Sequence, residues 1–334
     1  MKTNEVIQAW GRILTGYKPS LSIEITKECP LRCPGCYAYA EGHVAPGTNL
    51  RDLSDQRGDT LVKNVLALVD EYRPLHLSLV GGDPLVRFRE LDALLPELEK
   101  RGIFVQIVTS AFRPLPLEWA RMKRVGIVVS IDGLQPEHDA RRKPATYERI
   151  LKNIAGHRIT VHCTITAQMM DRPRYLEEFL QFWAAKEEVG KVWMSMFTPQ
   201  RGEVAAEILS PVQRTQAIEE LLRLRTTYQK LDMFEAQVME FAHPPASPKE
   251  CVFAQTTTII SADLKTQVTP CQYGGDPDCS QCGCVASMGL AAVGKHHLAL
   301  GLTAGRVFEV SNRAGMQIRK WRMRKRQRGQ QKVA

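Results

Sequence analysis

Three cysteines fall within eight residues in Cys29-Pro-Leu-Arg-Cys33-Pro-Gly-Cys36. Thiolates are soft metal ligands, and three in one short loop suit an iron–sulfur cluster. A structural zinc site would want a fourth ligand, which His43 is near enough in sequence to supply. Pro30 and Pro34 stiffen the loop and reduce the entropy lost on closing it round a metal. Three ligands on a four-iron cluster would leave one iron open to a substrate or cofactor. A second group, Cys251, Cys271, Cys279, Cys282 and Cys284, places five more thiols close together near the other end. The ninth cysteine, Cys163, stands alone and reads as a small core residue. An odd count, with no secretory-type apolar run after Met1, favours reduced metal-binding thiols over a disulfide framework.

Two further motifs carry polar groups at the ends of strand-like segments. Gly81-Gly82-Asp83-Pro84-Leu85 follows LHLSLV; its glycines would let a ligand approach the backbone, and Asp83 offers a carboxylate. Ser130-Ile131-Asp132-Gly133, with His138-Asp139 and Arg141-Arg142 beyond it, follows GIVVS. Thr109-Ser110 ends IFVQIVTS, and Thr164 and Thr166 end ITVHCTIT. His162, His243, His296 and His297 show no ligand spacing.

The elements that must position these residues alternate. Strand patterns at SLSIEIT, LHLSLV, IFVQIVTS, GIVVSIDG, ITVHCTIT and KVWMSMFTP are separated by helix patterns at 59–74, 89–101, 116–124, 145–156 and 173–187. Such alternation predicts an α/β fold with a parallel sheet, here a partial (β/α)6 TIM-like barrel, with functional groups at the carboxyl ends of the strands. A helix at 212–230 extends it, and a small C-terminal cysteine-rich β-hairpin/helix module follows. TTTIIS, a turn at Ala262-Asp263-Leu264 and TQVTP read as the hairpin. The divisions are an N-terminal amphipathic segment at 1–20, the barrel at 21–241, a Pro-rich linker at 242–250, the cysteine module at 251–300 and a C-terminal segment at 301–334.

The chain has 334 residues, 44% hydrophobic and 24% charged, with net charge +9, enough for one large domain plus an appendage. That composition excludes disordered, collagen-like and fibrous classes. No long uncharged apolar run predicts a membrane span. The segment 319–332 holds eight Lys and Arg and no acid, so the rest of the chain is close to neutral. It reads as a solvated terminus able to touch an anionic surface. A nucleic-acid role would rest on this tail alone.

Cys29-x3-Cys33-x2-Cys36 after the first strand, GGDP after the second and S-x-D-G…H-D…R after the fourth resemble the radical S-adenosylmethionine (radical SAM) superfamily. The five later cysteines resemble its SPASM or shorter "twitch" auxiliary-cluster module, with five thiols where a full SPASM module has seven. The resemblance implies that Cys29, Cys33 and Cys36 hold a catalytic [4Fe-4S] cluster. It implies that Gly81, Gly82 and Asp83 meet the SAM amino group, Asp83 standing where Glu is usual, and that Ser130 and Arg141 or Arg142 meet its ribose or carboxylate; we take Arg142. It also implies an auxiliary [4Fe-4S] cluster on Cys251, Cys271, Cys282 and Cys284, with Cys279 the alternative ligand and zinc the alternative metal.

The implied reaction is reductive cleavage of SAM to methionine and a 5′-deoxyadenosyl radical. Hydrogen abstraction from an unactivated carbon of an organic substrate follows, with the auxiliary cluster as electron acceptor. The substrate is a peptide or protein, or a small-molecule or lipid precursor, and the reductant a flavodoxin or ferredoxin. The implied location is cytoplasmic, with MGLAAVGKHHLALGLTAG and the tail able to lie on a membrane. A non-catalytic iron–sulfur carrier or metal-stabilised binding protein is the alternative.

Overall fold

The computed structural model describes residues 3–144, 147–298 and 301–330. Its frame is a seven-stranded parallel sheet in the order β6-β5-β4-β3-β2-β1-β7, an open barrel. The strands are β1 Ser20–Thr26, β2 His76–Gly81, β3 Phe104–Thr109, β4 Val125–Ser130, β5 Ile159–Ile165, β6 Val189–Met196 and β7 Thr257–Ile260. The helices are α1 Thr3–Leu14, α2 Gly58–Tyr72, α3 Phe88–Lys100, α4 Glu137–Arg141, α5 Tyr147–Asn153, α6 Ala167–Met170, α7 Tyr175–Ala184, α8 Pro211–Thr227, α9 Glu235–Met239, α10 Val252–Thr256, α11 Val285–Lys295 and α12 Ala304–Gln330.

Strand alternation sorts the side chains into two environments. Leu21, Ile23 and Ile25 of β1 and Ile159, Val161, Cys163 and Ile165 of β5 join the core beneath the helices. The core meets them with Leu61, Val65 and Val69 of α2, spaced by four on one helix face. Tyr175, Phe179 and Trp183 do the same on α7. The opposite face carries Ser22, Glu24 and Thr26 on β1, Thr160, His162 and Thr164 on β5, and Ser195 on β6. A barrel core need only be apolar on the helix side, so this polar inner face is available for ligands.

The expected hairpin takes a different form. Residues 257–260 pair in parallel with β1, adding a seventh strand to the sheet. The return segment touches this strand only at its end, through Val268 N–H to Ile259 O at 3.0 Å and Ser261 N–H to Thr266 O at 2.8 Å. Asp263 turns the chain there by accepting from Lys265 N and Thr266 N. At the other edge Met196 N–H donates to Gly283 O at 2.9 Å, and Gly283 N–H to Thr198 Oγ1 at 2.8 Å. The cysteine module therefore ties to both ends of the open sheet.

Two other expectations are corrected. The helix expected at 116–124 is a single 3₁₀ turn, Leu117–Arg121, because β4 begins at Val125 and Trp119 is pinned to Asp92 Oδ1 at 2.7 Å. The tail is not a solvated coil: α12 runs from Ala304 to Gln330 and packs along α1, with Trp10 Nε1 donating to Ser311 Oγ at 3.1 Å. Residues 331–334 lie outside the described residues.

At Gly283 an added Cβ would stand 2.0 Å from the Met196 carbonyl oxygen. Gly283→Val is expected to cost about 1–3 kcal/mol in urea unfolding, because β6 or the cysteine loop must shift. An unchanged midpoint would mean that this seat is slack.

Candidate functional site

The Cys29–Cys36 loop is held at its start by ion pairs, of which Arg87–Asp55 is buried, and further along by a backbone hydrogen bond. Glu28 accepts from Arg87 Nη1 at 3.1 Å and also pairs with Arg57, while Arg87 Nη2 reaches Asp55 at 2.7 Å. Arg32 N–H donates to Lys143 O at 2.8 Å, tying the loop to the segment after Arg142. The thiols are partly covered, and burial pushes Cys29 up to about 12 and raises Cys33 and Cys36. Arg142 works the other way on Cys33 and Cys36.

That arginine is held by a buried carboxylate. Asp132 accepts from Arg142 Nε at 2.9 Å, Arg141 Nε at 3.1 Å and the Thr164 amide at 3.0 Å. Burial opposes the Asp132 charge, yet the two guanidiniums hold its carboxyl well below the usual range. Burial also opposes the charge on Arg142, but Asp132, Cys33 and Cys36 more than offset it. Arg141 turns its Nη1 to Glu207 at 3.2 Å. Both arginines act on Cys33 and Cys36, Arg142 the more strongly.

The GGDP turn lies beside this loop, but its polar groups are already used. Asp83 accepts from Thr109 Oγ1 at 2.7 Å, Ser110 Oγ at 2.6 Å, Ser110 N at 2.9 Å and Leu85 N at 3.1 Å. Burial raises its pKa against these four bonds. The close approach expected of a ligand at Gly82 is made by the chain itself: a Cβ there would stand 2.1 Å from Glu28 O. Asp83 N–H donates to that same carbonyl at 2.8 Å. Here Asp83 braces the loop that carries the cysteines.

His43 is not free to complete a zinc site. Its Nε2 lies 2.7 Å from Glu24 Oε1 and its Nδ1 3.0 Å from Tyr273 O. Burial would lower its pKa, but the Glu24 bond outweighs it and raises the value. Ser261 donates to the other Glu24 oxygen. This buried group joins the inner face of β1 to the second cysteine group, and only the lone acid in the apolar SLSIEIT run hinted at it.

All five later cysteines, with Tyr273 and Ser287, line one cavity. Burial pushes Cys271 up to about 12 and Cys282 to about 11, and Cys284 rises well above the usual thiol range. Cys251 Sγ lies 3.1 Å from Ser287 Oγ, and Gln272 donates to Cys284 Sγ at 3.1 Å. Thr198 lines this cavity and also a larger one of about 460 Å³, walled by Cys33, Cys36, Tyr39, Arg51, Phe197 and Glu203.

Comparisons with known proteins bear on the family that the barrel resembles. The family model described as the Radical SAM superfamily matches residues 23–181. A 7-carboxy-7-deazaguanine synthase of Hyperthermus butylicus is 29% identical over 102 residues, 30% of this chain and 39% of that protein. Among solved structures, Streptococcus suis SuiB bound to precursor peptide SuiA is similar with TM-score 0.54 and 16% identity, over 77% of this chain and 60% of SuiB. The protein anSMEcpe with bound AdoMet is similar with TM-score 0.57 and 13% identity, over 76% of this chain and 71% of that one. The chain thus spans about four-tenths of the curated relative and three-fifths of SuiB.

The matched superfamily uses a [4Fe-4S] cluster and SAM, and the loop after β1 offers three thiols of the kind that hold such a cluster. Cys33 and Cys36 open onto a cavity large enough for a nucleoside-sized ligand, with the Arg142 cation coupled to them. Raised thiol pKa values fit ligands that release protons on binding metal.

The same barrel wall carries two neutral histidines. Burial lowers His138 to about 4, and its Nδ1 accepts the Asp132 amide at 3.1 Å. Burial likewise lowers His162 to about 4. The unfolded chain takes up protons near pH 6.5 and the native chain only near 4, so stability is lost as pH falls through that window. His138→Asn is expected to flatten the fall in urea stability between pH 7 and 5; an identical slope would show that His138 titrates normally in the fold.

Proposed function

We propose that this chain is a radical SAM enzyme that takes a hydrogen atom from an unactivated carbon of an organic substrate held in the barrel. When bound, the cluster and SAM supply a 5′-deoxyadenosyl radical by one-electron reductive cleavage. The Cys29, Cys33 and Cys36 thiolates would hold the cluster by three irons. Arg142, preset by Asp132, would meet the SAM carboxylate in a charge-assisted bond. Gly81 and Gly82 would present backbone to the SAM amino group, with Asp83 bracing them through Thr109 and Ser110. The observation that carries this reading is that Cys33 and Cys36 line the large cavity at the end of β1, with the Asp132-paired Arg141 and Arg142 close enough to act on both thiols.

The five later cysteines would bind an auxiliary cluster able to accept an electron from the product radical. The reading is supported by their enclosing one cavity. The ligand set proposed is Cys251, Cys271, Cys282 and Cys284, with Cys279 the alternative. SuiB with its bound precursor peptide lends support to a peptide substrate.

Anaerobically reconstituted protein with dithionite and SAM is expected to form 5′-deoxyadenosine. The Cys29→Ala/Cys33→Ala/Cys36→Ala variant should lose this activity by a hundredfold or more, on the order of ~3 kcal/mol, and bind about half the iron. Retained product formation in the variant would sink the assignment of these three cysteines, and no product from the wild type would sink the enzyme reading, since a carrier protein would form none in either case.

No helix among the described residues is long and apolar enough to cross a membrane. A peripheral location is supported by α12. Val310 and Trp321 are each 62% exposed along it, beside Arg306, Arg313 and Lys320 at sevenfold spacing. Such a face suits an anionic bilayer. Full-length protein is expected to sediment with phosphatidylglycerol vesicles at low salt and not with phosphatidylcholine vesicles. Equal sedimentation after deletion of residues 319–334 would remove the tail from this role.

A further inference from the structure

Each cysteine group carries a tyrosine on a turn that leaves it. Tyr37 directly follows Cys36, and Tyr273 stands two residues after Cys271. Both turns close on the cysteine itself: Tyr39 N–H donates to Cys36 O at 3.1 Å, and Gly274 N–H to Cys271 O at 2.9 Å. The two tyrosine rings meet edge to face, their centroids 5.5 Å apart and their planes at 85°. Tyr37 also packs on the His43 ring at 5.6 Å. His43 Nδ1 in turn donates to Tyr273 O at 3.0 Å, since a carbonyl can only accept. The backbones touch as well, for a Cβ at Gly274 would stand 1.8 Å from His43 O. Ring contact, hydrogen bond and backbone thus seat 37–43 on 271–274.

This contact stands between the two groups. Tyr37 lines the large cavity with Cys33 and Cys36, Tyr273 lines the cavity of the five later cysteines, and Thr198 lines both. Tyr37 lies within electrostatic reach of Cys36 on one side and of Cys271 and Cys284 on the other. Burial raises both phenols above their usual range, so neither ring carries charge at neutral pH. What the pair transmits is therefore position. A ring displaced on one loop pushes the ring on the other, because close-packed interiors leave little slack.

We infer that Tyr273 buttresses Tyr37, and through it the turn that holds Cys36, so that the first cysteine group retains its metal longer when the second group is filled. Metal on the second group's thiolates fixes their loop. The fixed loop presents Tyr273 to Tyr37 at a lower ordering cost, and the gain is shared with the first site. An edge-to-face pair accounts for about a three- to tenfold effect. The inference rests on the reading that both groups bind iron–sulfur clusters. It makes Tyr37 and Tyr273 positioning residues.

The test is cluster retention in full-length protein reconstituted anaerobically with iron and sulfide, reduced with dithionite and challenged with EDTA. The electron paramagnetic resonance signal of the first group is the one missing from Cys29→Ala/Cys33→Ala/Cys36→Ala. Its decay is expected to be about three- to tenfold faster in Tyr37→Leu, in Tyr273→Leu and in Cys251→Ala/Cys271→Ala/Cys279→Ala/Cys282→Ala/Cys284→Ala. Adding Tyr273→Leu to that five-alanine variant should change little, because the loop that presents the ring is no longer fixed. Tyr37→Phe and Tyr273→Phe keep the rings and should decay as the wild type does. Tyr273→Met fills the space where Leu does not fold. Thermal midpoints of the metal-free proteins are read in parallel.

Wild-type decay in the five-alanine variant would overturn the inference, and so would wild-type decay in both leucine variants. An acceleration by Tyr273→Leu that persists in full in the five-alanine variant would also overturn it, since a merely structural role predicts that. Phenylalanine variants that decay as fast as the leucine ones would remove the ring contact as the cause. A wild type with no first-group signal would instead strike the cluster reading proposed above, so the two failures are distinguishable.

Discussion

Thiolates crowded at the end of one strand repel each other, and burial makes each harder to ionise. The site depends on positive charge brought against them. Arg142 supplies the fixed part, and it remains in place because Asp132 is buried beneath it and paired. Removing one member of such a pair leaves an uncompensated buried charge, which is why the pair behaves as a unit. The metal cluster would supply the rest of the positive charge. The loop geometry, the Asp132 amide contacts and the bracing by Asp83 all serve to keep this arrangement from relaxing into solvent.

An open parallel sheet has two unpaired edges, and both are liabilities. The C-terminal cysteine module deals with them together. Its β7 extends the sheet beside β1, and its Gly283 segment bonds to the end of β6. Between these anchor points Tyr273 accepts from His43, which is paired with Glu24 inside the barrel. The second cysteine group thus has the barrel wall as one of its sides. The second cysteine group and the strand order of the barrel are mechanically linked through ordinary backbone hydrogen bonds.

Some features were legible because they are local. Cys29-x3-Cys33-x2-Cys36 needs no partner to be recognised, and alternating strand and helix periods announce a parallel α/β sheet. Amphipathic spacing at 59–74 and 173–187 gave α2 and α7, with Leu61, Val65, Phe179 and Trp183 in the core. The segment 116–124 misled because its helical pattern is too short to resist the pull of Trp119 toward Asp92 and of β4 toward β3. The charge run from 319 hid the helix that it continues, α12, which packs on α1 through Ser311 and Gly315 ahead of that run. His43 looked like a ligand by proximity in sequence; Glu24 and Tyr273, one before and one far beyond it, had already taken both nitrogens.

The sequence by itself determined the candidate ligands, the strand ends that carry them and the class of fold, since each follows from side-chain chemistry or from a repeating period along the chain. Only the tertiary structure decided the wiring: Arg141 and Arg142 both on Asp132, Asp83 as a brace, His43 as a strut, Ser195 on His162. Those assignments turn on which groups meet across long sequence separations, and a buried polar atom takes whichever partner the packing brings within about 3 Å.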